Sequence, residues 1–225
     1  MSDIPPDPPA YPVFPTQPTT VILPSPSDLQ PIYTERLILR PLQLTPESAL
    51  TSDAASLFHF RSRPEVATWL LSKAPHTSIE ETKAWMRSRI YTTPDAAGAV
   101  HCRHFSFAVV ARSDPETVIG GVSVNSLHPA PSVGYALHPD FWGMGFATEA
   151  VRGIVGAWWG LPRVEVDDGS GLGDGEGERL FAATNCENLG SLKVLQKAGF
   201  EVYEYVECGD RLAFMSIRRR EDLRQ

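Results

Sequence analysis

The stretch Gly134 to Ala150 carries the most chemically telling pattern in the chain: Gly-Tyr-Ala-Leu-His-Pro-Asp-Phe-Trp-Gly-Met-Gly-Phe-Ala-Thr-Glu-Ala. A short apolar run leads into a turn with glycine at 143 and 145. Ala147, Ala150, Val151, Ile154, Val155, Trp158 and Trp159 then recur at helical spacing. Small residues at 143, 145 and 147 let a ligand approach the backbone closely. The first N–H groups of a helix have no partner within it, and the helix dipole adds partial positive charge there. A strand, a glycine turn and a helix start therefore make a cradle for a phosphate or pyrophosphate. Three structures share that local pattern. A dinucleotide fingerprint needs a third glycine where Thr148 stands, and a P-loop needs Gly-Lys-Ser/Thr, which is absent. A tight turn without a ligand is the third.

The elements that must position this turn are legible around it. Arg36 to Arg40 reads as a strand, and Asp53 as the cap of a helix through Leu57 and Phe60. Ser78-x-x-Glu81 has capping-box spacing ahead of Ile79, Thr82, Trp85, Met86 and Ile90. Phe105 to Ala111, Val118 to Ser126 and Val133 to Leu137 are β-rich, with Ser113 to Glu116 as a hairpin turn. A strand over Leu180 to Thr184, a helix over Ser191 to Lys197 and a hairpin around Cys208-Gly209-Asp210 close the chain. The order predicts a mixed α/β fold in a single domain, residues 32–225.

Two segments stand apart in composition. Residues 1–31 hold ten of the 20 prolines and no Lys or Arg, which predicts an extended polyproline-like arm, solvated or loosely packed and removable without loss of the fold. As a function, such an arm would serve a proline-recognition partner. Between Glu165 and Glu178 lie six acids (Glu165, Asp167, Asp168, Asp174, Glu176 and Glu178), five glycines and no basic residue, which predicts a flexible loop at about 165–178. Six carboxylates there would draw in a cationic acceptor by long-range attraction.

With 20 basic and 27 acidic residues the net charge is −7, which argues against a nucleic-acid partner. Three cysteines without a C-x-x-C pair argue against a disulfide framework and fit a reducing compartment. The chain lacks a run of ~18 apolar residues, so no membrane span is expected, and the cytoplasm is the default location. His101, Cys102 and His104 lie close together without further ligands in sequence, so no metal is assigned.

Four segments, in order, resemble the GNAT N-acetyltransferase superfamily, most closely its RimJ/RimL-like branch. Thr34 to Arg40 is similar to the branch's opening strand, and Val118-Ile-Gly-Gly-Val122 to its third. Trp142-Gly-Met-Gly-Phe-Ala147 is similar to its acetyl-CoA motif. Asn188-Leu-Gly-Ser191 with Gly199-Phe200 resembles its N-x-x-S…GF signature. The likeness spans roughly residues 33–220.

The resemblance implies a mostly antiparallel sheet of about seven strands, splayed between the fourth and fifth. Acetyl-CoA would lie in that gap. Backbone groups at Ala136, Leu137 and His138 would pair with its pantetheine arm, Trp142 would open the cofactor-binding motif, and amides of Gly143, Met144, Gly145, Phe146, Ala147 and Thr148 would hold the pyrophosphate. Asn188 and Ser191 would stand near the thioester sulfur. Many relatives have a tyrosine acid seven residues after the asparagine; Leu195 stands there, so Ser191 is the hydroxyl nearest the leaving thiolate, with helix capping as its other role. Relatives often carry a glutamate base where this chain has Ser132, which leaves His128, His138 and Asp140 as candidates, His138 foremost. Glu149 recurs in the branch and is read as ordering the helix's first turn. The implied reaction is direct acetyl transfer to a primary amine, a protein N-terminus or a small molecule. A homodimer is compatible with this reading, and a catalytically silent acyl-CoA-binding module is the alternative.

Overall fold

The computed structural model describes residues 12–15, 17, 19–25, 27–43, 46–70, 72–90, 105–125, 130–165 and 177–219. In chain order the elements are β1 (Thr19–Val21), β2 (Ile32–Tyr33), β3 (Leu37–Pro41), α1 (Glu47–Arg61), α2 (Pro64–Ala67), α3 (Ile79–Ile90), β4 (Phe105–Ala111) and β5 (Asp114–Val124). They continue with β6 (Val133–Leu137), a 3-10 turn (Pro139–Phe141), α4 (Phe146–Trp159), β7 (Arg163–Glu165), β8 (Arg179–Asn185), α5 (Leu189–Lys197), β9 (Glu201–Cys208) and β10 (Asp210–Arg218).

Strands β2-β3-β4-β5-β6 form one antiparallel sheet, and β8-β10-β9 a second. Among the described residues the two meet at one parallel bridge, Ser132 to Phe181, where the Phe181 N–H donates to the Pro131 carbonyl at 2.9 Å. Beyond that bridge β6 and β8 part, leaving a V whose mouth lies at Leu137 on one side and Asn185 on the other.

The sheet is buried on both faces, and strand alternation divides its side chains between two cores. On β4, Phe105, Phe107 and Val109 join Ile154 and Trp158 of α4 and Leu195 of α5. Ala108 and Val110 join Leu57 and Phe60 of α1 and Met86 of α3. Near-continuous apolar runs are what two-sided burial demands.

Several local expectations change. Asp53 does not cap a helix: α1 begins at Glu47 after Pro46, and Asp53 lies within it, 2% exposed. Its carboxylate receives both Arg40 NH groups, at 2.7 and 3.0 Å, and the Gln43 N–H at 2.9 Å. A buried charge needs such partners more than a helix end needs a cap. Ser78 Oγ does accept the Glu81 N–H, but the Glu81 carboxylate takes the Thr77 N–H and hydroxyl rather than closing the box on Ser78. The β4–β5 turn is tighter than expected, since Asp114 already pairs with Ala111, and β5 ends at Val124.

The proline-rich arm corrects the largest expectation. Its described part is anchored on the domain at several points, although Val13 and Ile22 stay exposed. Phe14 sits edge-on to Phe181 and Phe214, with ring centroids 4.9 and 6.0 Å apart. Tyr203 donates its hydroxyl to the Val13 carbonyl, and the Arg179 N–H donates to Gln17 Oε1. Thr19–Val21 pairs with Arg163–Glu165, and Val21 and Leu23 enter the first core. A few apolar residues among the prolines, at 14, 21 and 23, suffice to anchor a segment whose composition alone looks unstructured.

The acidic segment is also recast. Its interior, 166–176, lies outside the described residues. Glu178 is no loop carboxylate: it is buried, bonded to Arg163 Nε at 2.8 Å and to Arg219 at 3.1 Å. The segment joins β8 at Arg179, which pairs with Arg218, whereas Asn185 at the other end pairs with Leu212. At ~3.3 Å per residue, the loop's attachment to β8 lies about 20 Å from the mouth of the V.

Candidate active site

The glycine turn and the mouth of the V come together at the end of β6. Gly143 and Gly145 have φ of +76° and +82°, in the left-handed region that a side chain disfavours. Gly145 is the N-cap of α4, and no side chain caps the helix there. The first-turn N–H groups from Phe146 to Thr148 are thus left for a ligand. A Cβ built on Gly143 would meet nothing within 4 Å, so the turn is open on that side. Trp142 and Met144 direct much of their surface to solvent, and Trp142 pins the turn by donating its indole N–H to the Leu137 carbonyl at 2.9 Å.

Glu149 does not act on its own helix. It accepts the Thr34 hydroxyl at 2.6 Å, the Arg36 N–H at 2.7 Å and Arg36 Nε at 2.8 Å. Burial opposes its ionisation, but the bonds from Thr34 and Arg36 outweigh that and hold its pKa below the usual value. Arg36 also donates to the Met144 carbonyl and lies over the Phe146 ring, 4.6 Å from its centroid. The β2–β3 connection therefore braces the glycine turn from behind, a role the sequence pattern alone did not disclose.

Antiparallel alternation decides which backbone groups of β6 face the V. The His138 N–H donates to the Ile119 carbonyl, and the Ser132 carbonyl accepts from Asn125, each at 2.8 Å. Peptide groups at 132, 134, 136 and 138 therefore face β5, and those at 133, 135 and 137 face the V. Ala136 and His138 turn their backbone groups away from the V; Tyr135 turns both of its groups toward it, and Leu137 its N–H, its carbonyl being held by the Trp142 indole.

His138 also departs from the expected role of base. Its Nδ1 accepts the Asp140 N–H at 3.2 Å, which leaves Nε2 as the protonated nitrogen, 2.9 Å from His59 Nδ1. The two rings stack 4.8 Å apart. Burial, first, and the nearby Arg63 and His59 hold His138 below its usual pKa despite Asp140. With its lone pair engaged and its ring against α1, His138 is a structural link. Asp140 is exposed, and His128, His101, Cys102 and His104 lie outside the described residues.

Across the V, Asn188 is the N-cap of α5, its Oδ1 accepting the Ser191 N–H at 2.9 Å. The capping role considered for Ser191 thus belongs to Asn188. Ser191 Oγ instead lies 2.7 Å from the hydroxyl of Tyr135, which reaches from β6 on the same face as Val133 and Leu137. Burial pushes the Tyr135 phenol up to about 12, with the Ser191 contact acting in the opposite direction. Leu195 is 1% exposed in the core and offers no hydroxyl. Tyr135 carries no motif of its own in the sequence; its one signal is the odd-numbered alternation of β6, which puts it on the face that carries α5.

Among the described residues no group of three or more His, Cys, Asp or Glu side chains could hold a metal, and no helix is long and apolar enough to cross a membrane.

Such a splayed sheet, with an uncapped helix start at its mouth, is the architecture of an acyl-CoA-dependent acetyltransferase. The model of the acetyltransferase (GNAT) domain matches residues 36–201. An uncharacterized N-acetyltransferase p20 of Bacillus licheniformis is 27% identical over 176 residues, covering 77% of this chain and 83% of its own length. Among solved structures, a RimL ribosomal L7/L12 alpha-N-protein acetyltransferase in complex with coenzyme A aligns with a TM-score of 0.59 at 17% identity, over 84% of this chain and 98% of that one. An AAC(6')-Ib structure with ribostamycin and coenzyme A aligns with a TM-score of 0.53 at 15% identity, over 78% and 94%. The chain belongs to the GNAT acetyltransferase family.

Proposed function

We propose that the chain moves an acetyl group from acetyl-CoA to a primary amine, with the donor in the V between β6 and β8. The observation that carries this reading is the uncapped start of α4, behind two left-handed glycines, at the point where the two strands separate. Its first-turn amides at Phe146, Ala147 and Thr148 take the pyrophosphate, and Tyr135 and Leu137 present backbone groups to the pantetheine arm. The coenzyme A bound to the RimL and AAC(6')-Ib structures supports this choice of donor.

The acceptor is an amine of low pKa, with a protein α-amine as the favoured class. An α-amine near pKa ~7.8 is about a tenth neutral at pH 7, whereas a lysine amine near ~10.4 is under ~0.1% neutral. His138 is already engaged at β6, and an acceptor that needs little help from a base fits such a site. The α-N-protein acetyltransferase activity named for RimL points the same way.

The neutral nitrogen attacks the thioester carbonyl to give a tetrahedral intermediate. The nitrogen, cationic after its attack, releases its extra proton to water. The C–S bond then breaks with its electron pair moving to sulfur, Ser191 donates a hydrogen bond to the departing thiolate, and the thiolate takes up a proton from solvent. Thiols near pKa ~8.5 leave readily, so this assistance is worth ~10–100-fold, below the range for a strong acid catalyst. Ser191→Ala should lower kcat by that amount with little change in the KM for acetyl-CoA. Unchanged kcat would reduce Ser191 to a packing residue.

A further inference from the structure

Tyr135 and Ser191 come from opposite sides of the V, one from β6 and one from the first turn of α5, yet their hydroxyls lie 2.7 Å apart. The Ser191 carbonyl is the second acceptor within reach of the phenol, at 3.2 Å. A phenol carries one proton, so two arrangements exist. In one, Tyr135 donates to Ser191 Oγ, and the serine proton is free to point into the V. In the other, Tyr135 donates to the carbonyl, accepts the serine proton and withdraws it from the V.

We propose that Tyr135 is a positioning residue for acetyl transfer, donating to Ser191 Oγ so that the serine hydroxyl is aimed at the departing thiolate. The proposal rests on Ser191 having that role. Three observations support it. The phenol oxygen and Ser191 Oγ lie 2.7 Å apart, so the phenol is within reach to donate to the serine. The Ser191 N–H is already taken by Asn188, so the helix start is fixed and the side-chain hydroxyl is not needed as a cap. Burial keeps the phenol protonated, and hence a donor, throughout the pH range in which an amine acceptor becomes neutral. Tyr135 undergoes no net proton transfer. It raises the fraction of time for which Ser191 is correctly oriented, the kind of contribution a preorganised donor makes.

The test is a double-mutant cycle on the full chain, with Tyr135→Phe, Ser191→Ala and the pair, read as separate kcat and KM values for acetyl-CoA. Phenylalanine keeps the ring and removes only the hydroxyl. One hydrogen bond of typical strength corresponds to about a fivefold effect, so Tyr135→Phe should lower kcat by ~5-fold or more with KM unchanged. In the Ser191→Ala background the same change should do nothing further, because it acts only through the serine. A purely structural tyrosine would lower stability equally in both backgrounds and leave the kcat to KM split unmoved. If Ser191→Ala lowers kcat while Tyr135→Phe does not, or if the two losses multiply independently, the positioning role is overturned and the Ser191 assignment survives. If Ser191→Ala itself leaves kcat intact, the assignment on which this one rests is the one that fails.

Discussion

Gly145→Asp is expected to weaken acetyl-CoA binding at least ~100-fold, the equivalent of about 2.7 kcal/mol. Two effects act. Gly145 has φ of +82°, so any side chain there incurs a left-handed conformational cost of about 1–2 kcal/mol, which the protein meets by loss of stability or by reshaping the turn that holds the ligand. The carboxylate also places negative charge at the start of α4, where a pyrophosphate would gather. A Cβ at this position comes within 3.4 Å of an Arg36 nitrogen, so the new carboxylate could draw Arg36 away from Glu149 and loosen the brace. Gly143→Asp, with a similar left-handed φ of +76° but no atom within 4 Å of its Cβ, keeps the strain and the charge and removes the Arg36 contact. Calorimetric titration of both variants, with circular dichroism as the check on folding, reads the result. Binding within about threefold of the parent in folded protein would remove the pyrophosphate from this turn.

Deleting residues 1–24 is expected to lower Tm by about 10–20 °C. Burying Val21, Leu23 and the ring of Phe14 contributes on the order of 4.5–9 kcal/mol, taken as an upper estimate at ~1.5–3 kcal/mol per buried side chain. For a domain of this size each kcal/mol moves Tm by roughly 2–4 °C. The deletion also strips β7 of its partner β1, leaving an unpaired strand edge. Differential scanning calorimetry of the shortened chain against the parent checks this. A shift of under ~3 °C would mean that the arm's contacts are too weak to hold it, and the arm would revert to a dispensable leader.

The fate of the arm shows where sequence reasoning stopped. Composition describes an average over a segment, and prolines dominate the average over residues 1–31. What decides packing is the partner: Phe14 meets Phe181 and Phe214, which lie more than 160 positions away and carry no local mark of a missing neighbour. The glycine turn was legible for the opposite reason. Its chemistry is local, because a left-handed φ requires glycine and an amphipathic helix announces its own start. The alternation of β6 was legible as well, but its phase was not. Only the register against β5 shows that Ala136 and His138 turn their peptide groups away from the V while Tyr135 and Leu137 turn theirs toward it. Asp53 and Glu178 teach the same lesson for charge. Each was read from its neighbours in sequence, as a cap and as a loop acid, and each is a buried carboxylate held by arginines distant in sequence. His138 fits this pattern too, since its engagement depends on His59, 79 residues earlier.

The central claim is transfer, not binding alone. It is tested most directly by incubating the full chain with acetyl-CoA and two versions of a short peptide, one with a free α-amine and one with that amine blocked. Release of the CoA thiol is followed alongside the peptide mass. The account predicts CoA release that depends on the free α-amine, with one acetyl group gained by that peptide and none by the blocked one. Saturable binding of acetyl-CoA, with no CoA release above the hydrolytic background for either peptide or for an aminoglycoside, would contradict it and leave an acyl-CoA-binding module in its place.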